Sequence, residues 1–485
     1  MKHSRRSFLG SVTNGLQGIA LASLFSNDLY QSSDLLAADE HLSHAPRAHN
    51  LLPKQPHFKP RAKAVIQLMM QGGPSQVDLF DYKPALEKHH GQSILKDIAK
   101  DLSSPDAAGG LMKSPFEFAQ HGDCGMWVSE LLPHLSKHVD DIALVRSMFN
   151  THQNHEPAIY KIQSGKTMPG LPTLGAWTVY GLGSENQNLP AYVVLANPDG
   201  RLPVNTVQNW QPGYLPPLYQ GTRIRAKGTP ILNLQSEIEE PDAVVDLSRD
   251  LLNKLDRIHQ SKRPGHLQLD ARIASYQLAA RMQISASEAL DLSTETEETL
   301  GNYGIDEKET DNFGRQCLLA RRLVESGVRF IQVHPPGQGW DNHSNIGTSL
   351  PNICKQTDKP VAGLLADLKQ RGLLDDVLVV WGGEFGRLPI AQLRGEDPKK
   401  SGRDHGPAGF SVWFAGAGIK GGTIYGSTDE IGWQAVENRV SVADWHATIL
   451  HLLGMDNEHL FFESHGFKER ITGVEKVRVV KEIFS

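Results

Sequence analysis

Six short apolar runs constrain this chain more than any other feature. They are AVIQLMM (64–70), DIALVRSM (141–148), AYVVLAN (191–197), RFIQVH (329–334), VLVVWGG (377–383) and FSVWFAG (410–416). Each run is continuous rather than alternating. A strand with one wet face alternates apolar and polar side chains, whereas a strand covered on both faces does not. The runs therefore predict an α/β fold with a mostly parallel central sheet and helices on both faces. Helical patterns lie between them. ICKQTDKPVAGLLADLKQRG ends on Lys369, Arg371 and Gly372, and SVADWHATILHLLG takes Ser441 as N-cap, Asp444 in its first turn and Gly454 as its stop. Residues 246–326 read as two or three consecutive helices with no strand between them, a helical insertion packed on the sheet.

The chain opens MKHSRRSFLGSVTNGLQGIALAS, with Arg5 and Arg6 ahead of a weakly apolar stretch. This pattern predicts a twin-arginine export signal over residues 1–22 and a periplasmic or secreted protein. An amphipathic N-terminal helix is the other reading. Residues 23–59 are polar and proline-rich and read as a linker, so the folded domain is expected over 60–485. No later segment is long and apolar enough to span a membrane, so none is expected in the mature chain. With 49 Lys+Arg against 55 Asp+Glu, a net charge of −6, there is no basic excess to suggest nucleic acid. The three cysteines are far apart and form no CxxC pair or disulfide framework.

In open α/β sheets, ligands gather where strands end. Polar clusters stand at those places here. After the first run comes QGGPSQVDLFD, which offers Gln71, Ser75 and Asp78, or simply a structural turn. After the second comes NTHQNHEPAIYKI, where Asn154 and His155 either line a site at a helix start or cap that helix. After the fourth comes GQGWDNHSN. Asp341 and His343 are two apart, so an extended backbone points both to one side. A carboxylate and an imidazole placed so are able to share a divalent cation, although an Asx-turn would use the same residues. After the fifth comes GGEFGRLP, with Glu384 as ligand, general acid/base or partner of Arg387. SGRDHGPAG then sets Asp404 and His405 just before the last run.

In this order the motifs resemble the alkaline phosphatase superfamily, its sulfatase branch in particular. GGPSQVDLFDYKP, NHEPA, GAWTVYGLGSENQNLP, WDNHSN and GGEFGR together are similar to an exported bacterial family of sulfatase relatives of unknown function, over about residues 60–460. The resemblance implies that Asp341, His343 and His405 hold one divalent metal ion, zinc, manganese or calcium. It also shows departures. HEPAI stands where sulfatases carry a Cys-x-Pro-Ser-Arg nucleophile motif, with His155 at the nucleophile's place. Gln71 stands for the first-strand carboxylate, and Glu384-Phe385 for an Asp-His pair.

The expectation is a metal-dependent hydrolase of sulfate or phosphate esters. His155 and Glu384 are the candidate catalytic residues. Ser75, Asn154 and Arg387 are the candidate substrate contacts, and Asp341, His343 and His405 are the metal ligands. The substrate would be an anionic ester, such as a sulfated or phosphorylated glycan. The alternative is a non-catalytic sulfatase-like protein that binds anionic glycans or serves as an envelope scaffold. A metal protein of another reaction type is a third reading, because fold does not determine function.

Overall fold

The computed structural model describes residues 50–94, 102, 105–196, 203–231, 241–392, 399–464 and 466–485. The expected export signal and most of the expected linker lie outside the described residues. All six apolar runs are strands of one sheet. In chain order its strands are β1 (Ala64–Met69), β2 (Ile142–Phe149), β3 (Tyr192–Leu195), β4 (Thr222–Ile224), β5 (Phe330–Val333), β6 (Val377–Gly382), β7 (Phe410–Ala415), β8 (Thr423–Tyr425) and β9 (Val440–Ser441). They are ordered β8-β2-β7-β6-β1-β5-β3-β4, and β9 also pairs with β2. β1 runs parallel to both neighbours, with Ile66 opposite Ile331 of β5 and Val379 of β6.

One strand is reversed. β7 is antiparallel to both β2 and β6, with Trp413 opposite Leu144 and Trp381. The start of β7 therefore lies at the sheet edge where the other long strands end. This is why the SGRDHGPAG loop, which precedes a strand, meets loops that follow strands.

Six helices are used below: α1 (His155–Ser164), α2 (Leu174–Leu182), α3 (Asp242–Ser261), α4 (Asp311–Glu325), α5 (Ile346–Gln370) and α6 (Val442–Leu452). Neighbouring side chains of β1 point to opposite faces, so Ile66 and Leu68 join one core and Val65 and Met69 the other. The first core is closed by Phe313 and Leu318 of α4 and Leu350 and Leu364 of α5. The second is closed by Ile162 of α1, Trp177 of α2 and Trp445 and Ile449 of α6. Ser441 caps α6 through a reciprocal pair with Asp444, as its sequence predicts. α5 starts at Ile346, immediately after the WDNHSN loop, and carries Pro351 and Pro360 within it.

Residues 246–326 are not one insertion. α4 belongs to the sheet's own core, because its face carries Phe313, Cys317, Leu318 and Leu323. α3 lies in a separate compact unit that takes in residues 241–270, while Asn50–Glu239 and Ala271–Ser485 form the main body. The end of the expected linker also belongs to the main body. Pro53, Pro56 and Pro60 favour an extended backbone there. Its N–H groups reach carbonyls at two helix ends: Lys54 donates to Leu182 at 2.9 Å and His57 to Gly454 at 2.9 Å. Among the described residues, no helix is long and apolar enough to cross a membrane.

Candidate metal centre

Four ligand-type side chains meet at the carboxyl edge of the sheet: His155, Asp341, His343 and His405, with one donor atom from each within 4.8 Å of all the others. They come from three loops. Asp341 and His343 follow β5, His155 opens α1 after β2, and His405 precedes the reversed β7. Glycines let these loops pack closely. A Cβ at Gly72 would lie 2.5 Å from the Asp341 nitrogen, and one at Gly402 would lie 2.1 Å from the His343 carbonyl carbon. α1 is tied to the sheet by buried amides, since Gln332 Nε2 donates to Gln163 Oε1 at 2.7 Å and to Gln67 Oε1 at 3.0 Å.

Asp341 Oδ1 is the centre of the cluster. His343 Nε2 lies 2.9 Å away, His155 Nε2 3.2 Å and His405 Nε2 3.4 Å. The Nε2 atoms of His343 and His405 are 3.0 Å apart. A tetrahedral zinc ion, bound at about 2.0–2.1 Å, sets its donor atoms about 3.3 Å from one another. The observed separations fit that shape. His155 Nε2 supplies a second observation. Its approach to Asp341 is close but poorly aligned, so Nε2 is a buried nitrogen with no hydrogen-bond partner. A buried polar atom left so is costly unless something occupies its lone pair.

The outer groups orient the inner ones. His155 Nδ1 donates to Glu384 Oε1 at 2.6 Å. Glu384 is buried and accepts from the Gly72 N–H at 3.0 Å. His343 Nδ1 donates to Gln392 Oε1 at 2.5 Å. An acceptor at Nδ1 keeps a proton there, so a cation that displaces the Nε2 proton would meet that nitrogen's lone pair at the centre. Arg387 holds Asp341 from behind, with Nη2 on Oδ1 at 2.6 Å.

Charges follow this geometry. Burial raises the Asp341 carboxyl, but the three histidines beside it and the charge of Arg387 outweigh that and hold the group well below the usual carboxylate range. Burial also opposes a charged His155, yet Asp341 and Glu384 push the imidazole up to about 9. His405 moves the other way. Burial lowers it, Asp341 opposes, and the positive charges of Arg387, His155 and His343 add to the lowering.

The structure brings together the three expected ligands, Asp341, His343 and His405, and sets His155 beside them as a fourth ligand-type side chain. Glu384 stands behind His155 and has no exposed surface, so it acts on the centre through that ring. Two expected substrate contacts are corrected. Ser75 is buried, and its hydroxyl donates to Asp78 Oδ2 at 2.5 Å. Arg387 is buried too, with donors on the carbonyls of Gly72, Gly73 and Arg403 besides Asp341. Both side chains are turned into the interior rather than toward a ligand from solvent. Asn154 remains exposed at the N-cap of α1. Sequence reasoning missed Gln392 and the buried Arg403–Asp78 pair, in which Nε lies 2.6 Å from Oδ2. No local pattern marks either, because both partners are distant in the chain.

Fold and site together define an α/β protein whose mostly parallel sheet carries a His/Asp group able to hold a metal ion. The chain belongs to the family described as Protein of unknown function (DUF1501), whose profile matches residues 62–484. No curated protein matches it. Among solved structures, Ps i-CgsB is similar at a TM-score of 0.37 and 10% identity, over 82% of this chain and 74% of its own. PsFucS1 sulfatase from Pseudoalteromonas sp. is similar at 0.32 and 12% identity, over 82% of this chain and 68% of its own. Alkaline phosphatase from the Antarctic bacterium TAB5 is similar at 0.30 and 10% identity, over 78% of this chain and 96% of its own. Resemblance at that level carries no inference about activity.

Proposed function

We propose that this chain is a metal-dependent hydrolase of sulfate or phosphate esters, related to sulfatases and altered at the nucleophile's position. The observation that carries the reading is the convergence of His155, His343 and His405 Nε2 on Asp341 Oδ1, with one of those nitrogens buried and unpaired. These four residues would hold one divalent ion, and zinc fits the donor set and spacing. Such an ion, when bound, polarises an ester oxygen and lowers the pKa of a water.

The chain's own residues do the rest. Glu384 and Gln392 fix the rings of His155 and His343, and Arg387 fixes Asp341. Asp341 and His343 keep side-chain exposures of 24% and 30%, which leaves the centre open on one side to a substrate. The N-terminus of α1 begins at His155, and that of α5 begins three residues after His343. The start of each helix carries partial positive charge near the centre, which favours an anionic ester such as a sulfated or phosphorylated glycan.

A second reading has its own support. Four protein donors complete a tetrahedron, as they do in structural zinc sites, whereas catalytic sites commonly keep one position for water. On that reading the centre shapes a binding surface for anionic glycans without cleaving them. The test is elemental analysis of the purified protein beside Asp341→Ala, followed by a screen of aryl sulfates and phosphate monoesters. Stoichiometric metal and turnover, both lost in the variant, support the hydrolase. Metal without turnover supports the binding protein. A wild-type protein with no stoichiometric metal would sink both.

A further inference from the structure

α3 is an amphipathic helix whose apolar side faces solvent. Leu247 is 70% exposed, Leu251 50%, Leu252 60% and Leu255 52%. Successive residues turn by about 100° around the axis, which gathers these leucines with Val244 and Ile258 on one broad stripe. Four large exposed side chains on one face of a surface helix mark a docking surface rather than scattered surface apolars.

The charges beside the stripe identify the occupant. Asp246, Asp250, Lys254 and Arg257 share one flank, with the acids in the first half of the helix and the bases in the second. A parallel in-register pair of such helices would set acid against acid and base against base. An antiparallel pair sets Asp246 against Arg257 of the second copy and Asp250 against Lys254. It also meets Leu247 with Leu255, and Leu251 with Leu252, about one two-fold axis near residues 251–252. The apolar stripe and the charged flank thus share a single centre of symmetry, as a self-complementary two-fold interface requires.

We propose that α3 docks antiparallel on α3 of a second copy of this chain and makes the protein a dimer. The test is sedimentation velocity of the full chain over a concentration series, with far-ultraviolet circular dichroism and metal content as folding controls. The wild type sediments as a dimer. Leu251→Asp removes an apolar contact from both copies and raises the dimer dissociation constant about a hundredfold or more. Asp246→Arg also weakens the dimer, and Asp246→Arg with Arg257→Asp restores it. Those two residues lie three turns apart on one helix, about 16 Å, so only contact between copies accounts for the rescue. A wild type that is monomeric at every concentration overturns the proposal, including one that co-sediments with anionic lipid vesicles. So does a dimer that Leu251→Asp leaves intact, or a charge swap that fails to restore association.

Discussion

His343 and His405 aim their Nε2 atoms at one another across 3.0 Å. Gln392 holds the far nitrogen of His343, so its Nε2 presents a lone pair to the gap. A cation held by both nitrogens and the Asp341 oxygen would take the place of that hydrogen-bond contact. The expected outcome is that a chelator lowers the thermal midpoint of the wild type but not of His343→Ala, because a ligand that binds only the folded state stabilises it. Calorimetry with and without chelator checks this, and equal midpoints for the wild type in both would argue against the site.

Glu384→Gln tests the outer shell. Its carboxylate takes the His155 Nδ1 proton at 2.6 Å and the Gly72 N–H at 3.0 Å. Loss of such an outer partner typically weakens metal binding about 10–100-fold. Competition titration against a chromogenic chelator measures it. An affinity equal to wild type would show that Glu384 does not set the ring.

Gly402→Ala tests the loop packing. The new Cβ would lie 2.1 Å from the His343 carbonyl carbon and 2.3 Å from the Ser344 nitrogen, all backbone atoms that cannot swing aside. Metal content falls with the displaced His343. Gly301→Ala is the control: it lies in the helix Glu297–Asn302 with nothing within 4 Å of its Cβ. That change stabilises by up to about 1 kcal/mol in urea unfolding. Full metal content in Gly402→Ala would contradict the steric argument.

Arg403→Met tests the buried pair. It leaves Asp78 without its guanidinium partner in a dry interior, at a cost of about 3–5 kcal/mol. Adding Asp78→Leu removes the stranded charge and recovers most of that loss. Equilibrium unfolding of the single and double variants decides, and equal stabilities for the two would refute the account.

His446 makes stability depend on pH. Burial, then the charge of Lys161, push its imidazole down to about 3, although Nε2 donates to the Ile162 carbonyl at 2.8 Å. Its value in the unfolded chain is about 6.5. Below that pH the unfolded state takes up a proton that the folded state refuses. This contribution is therefore complete above pH 6.5 and is lost as pH falls toward 3, on the order of a few kcal/mol. His446→Gln flattens the acid arm of the profile. An unchanged slope between pH 7 and 5 would remove His446 as its source.

The sequence by itself determined the sheet. Its six continuous apolar runs became six strands of one sheet, and the helix with Ser441 and Asp444 was legible because a cap is a local bond. It also marked Asp341, His343 and His405, because ligand-type residues stood where those runs begin and end. Tertiary structure alone decided how they combine. It reversed β7, which brought His405 to the edge where β5 ends. It placed His155 in the same cluster, set Glu384 behind it, and buried Arg387 and Ser75, which the sequence had offered to a substrate. The physical reason is one of range. Period and caps are written within a few residues, whereas a centre with spacings near 3 Å depends on close packing between segments far apart in the chain. Gly72 against Asp341 and Gly402 against His343 set those contacts, and no local pattern announces either partner.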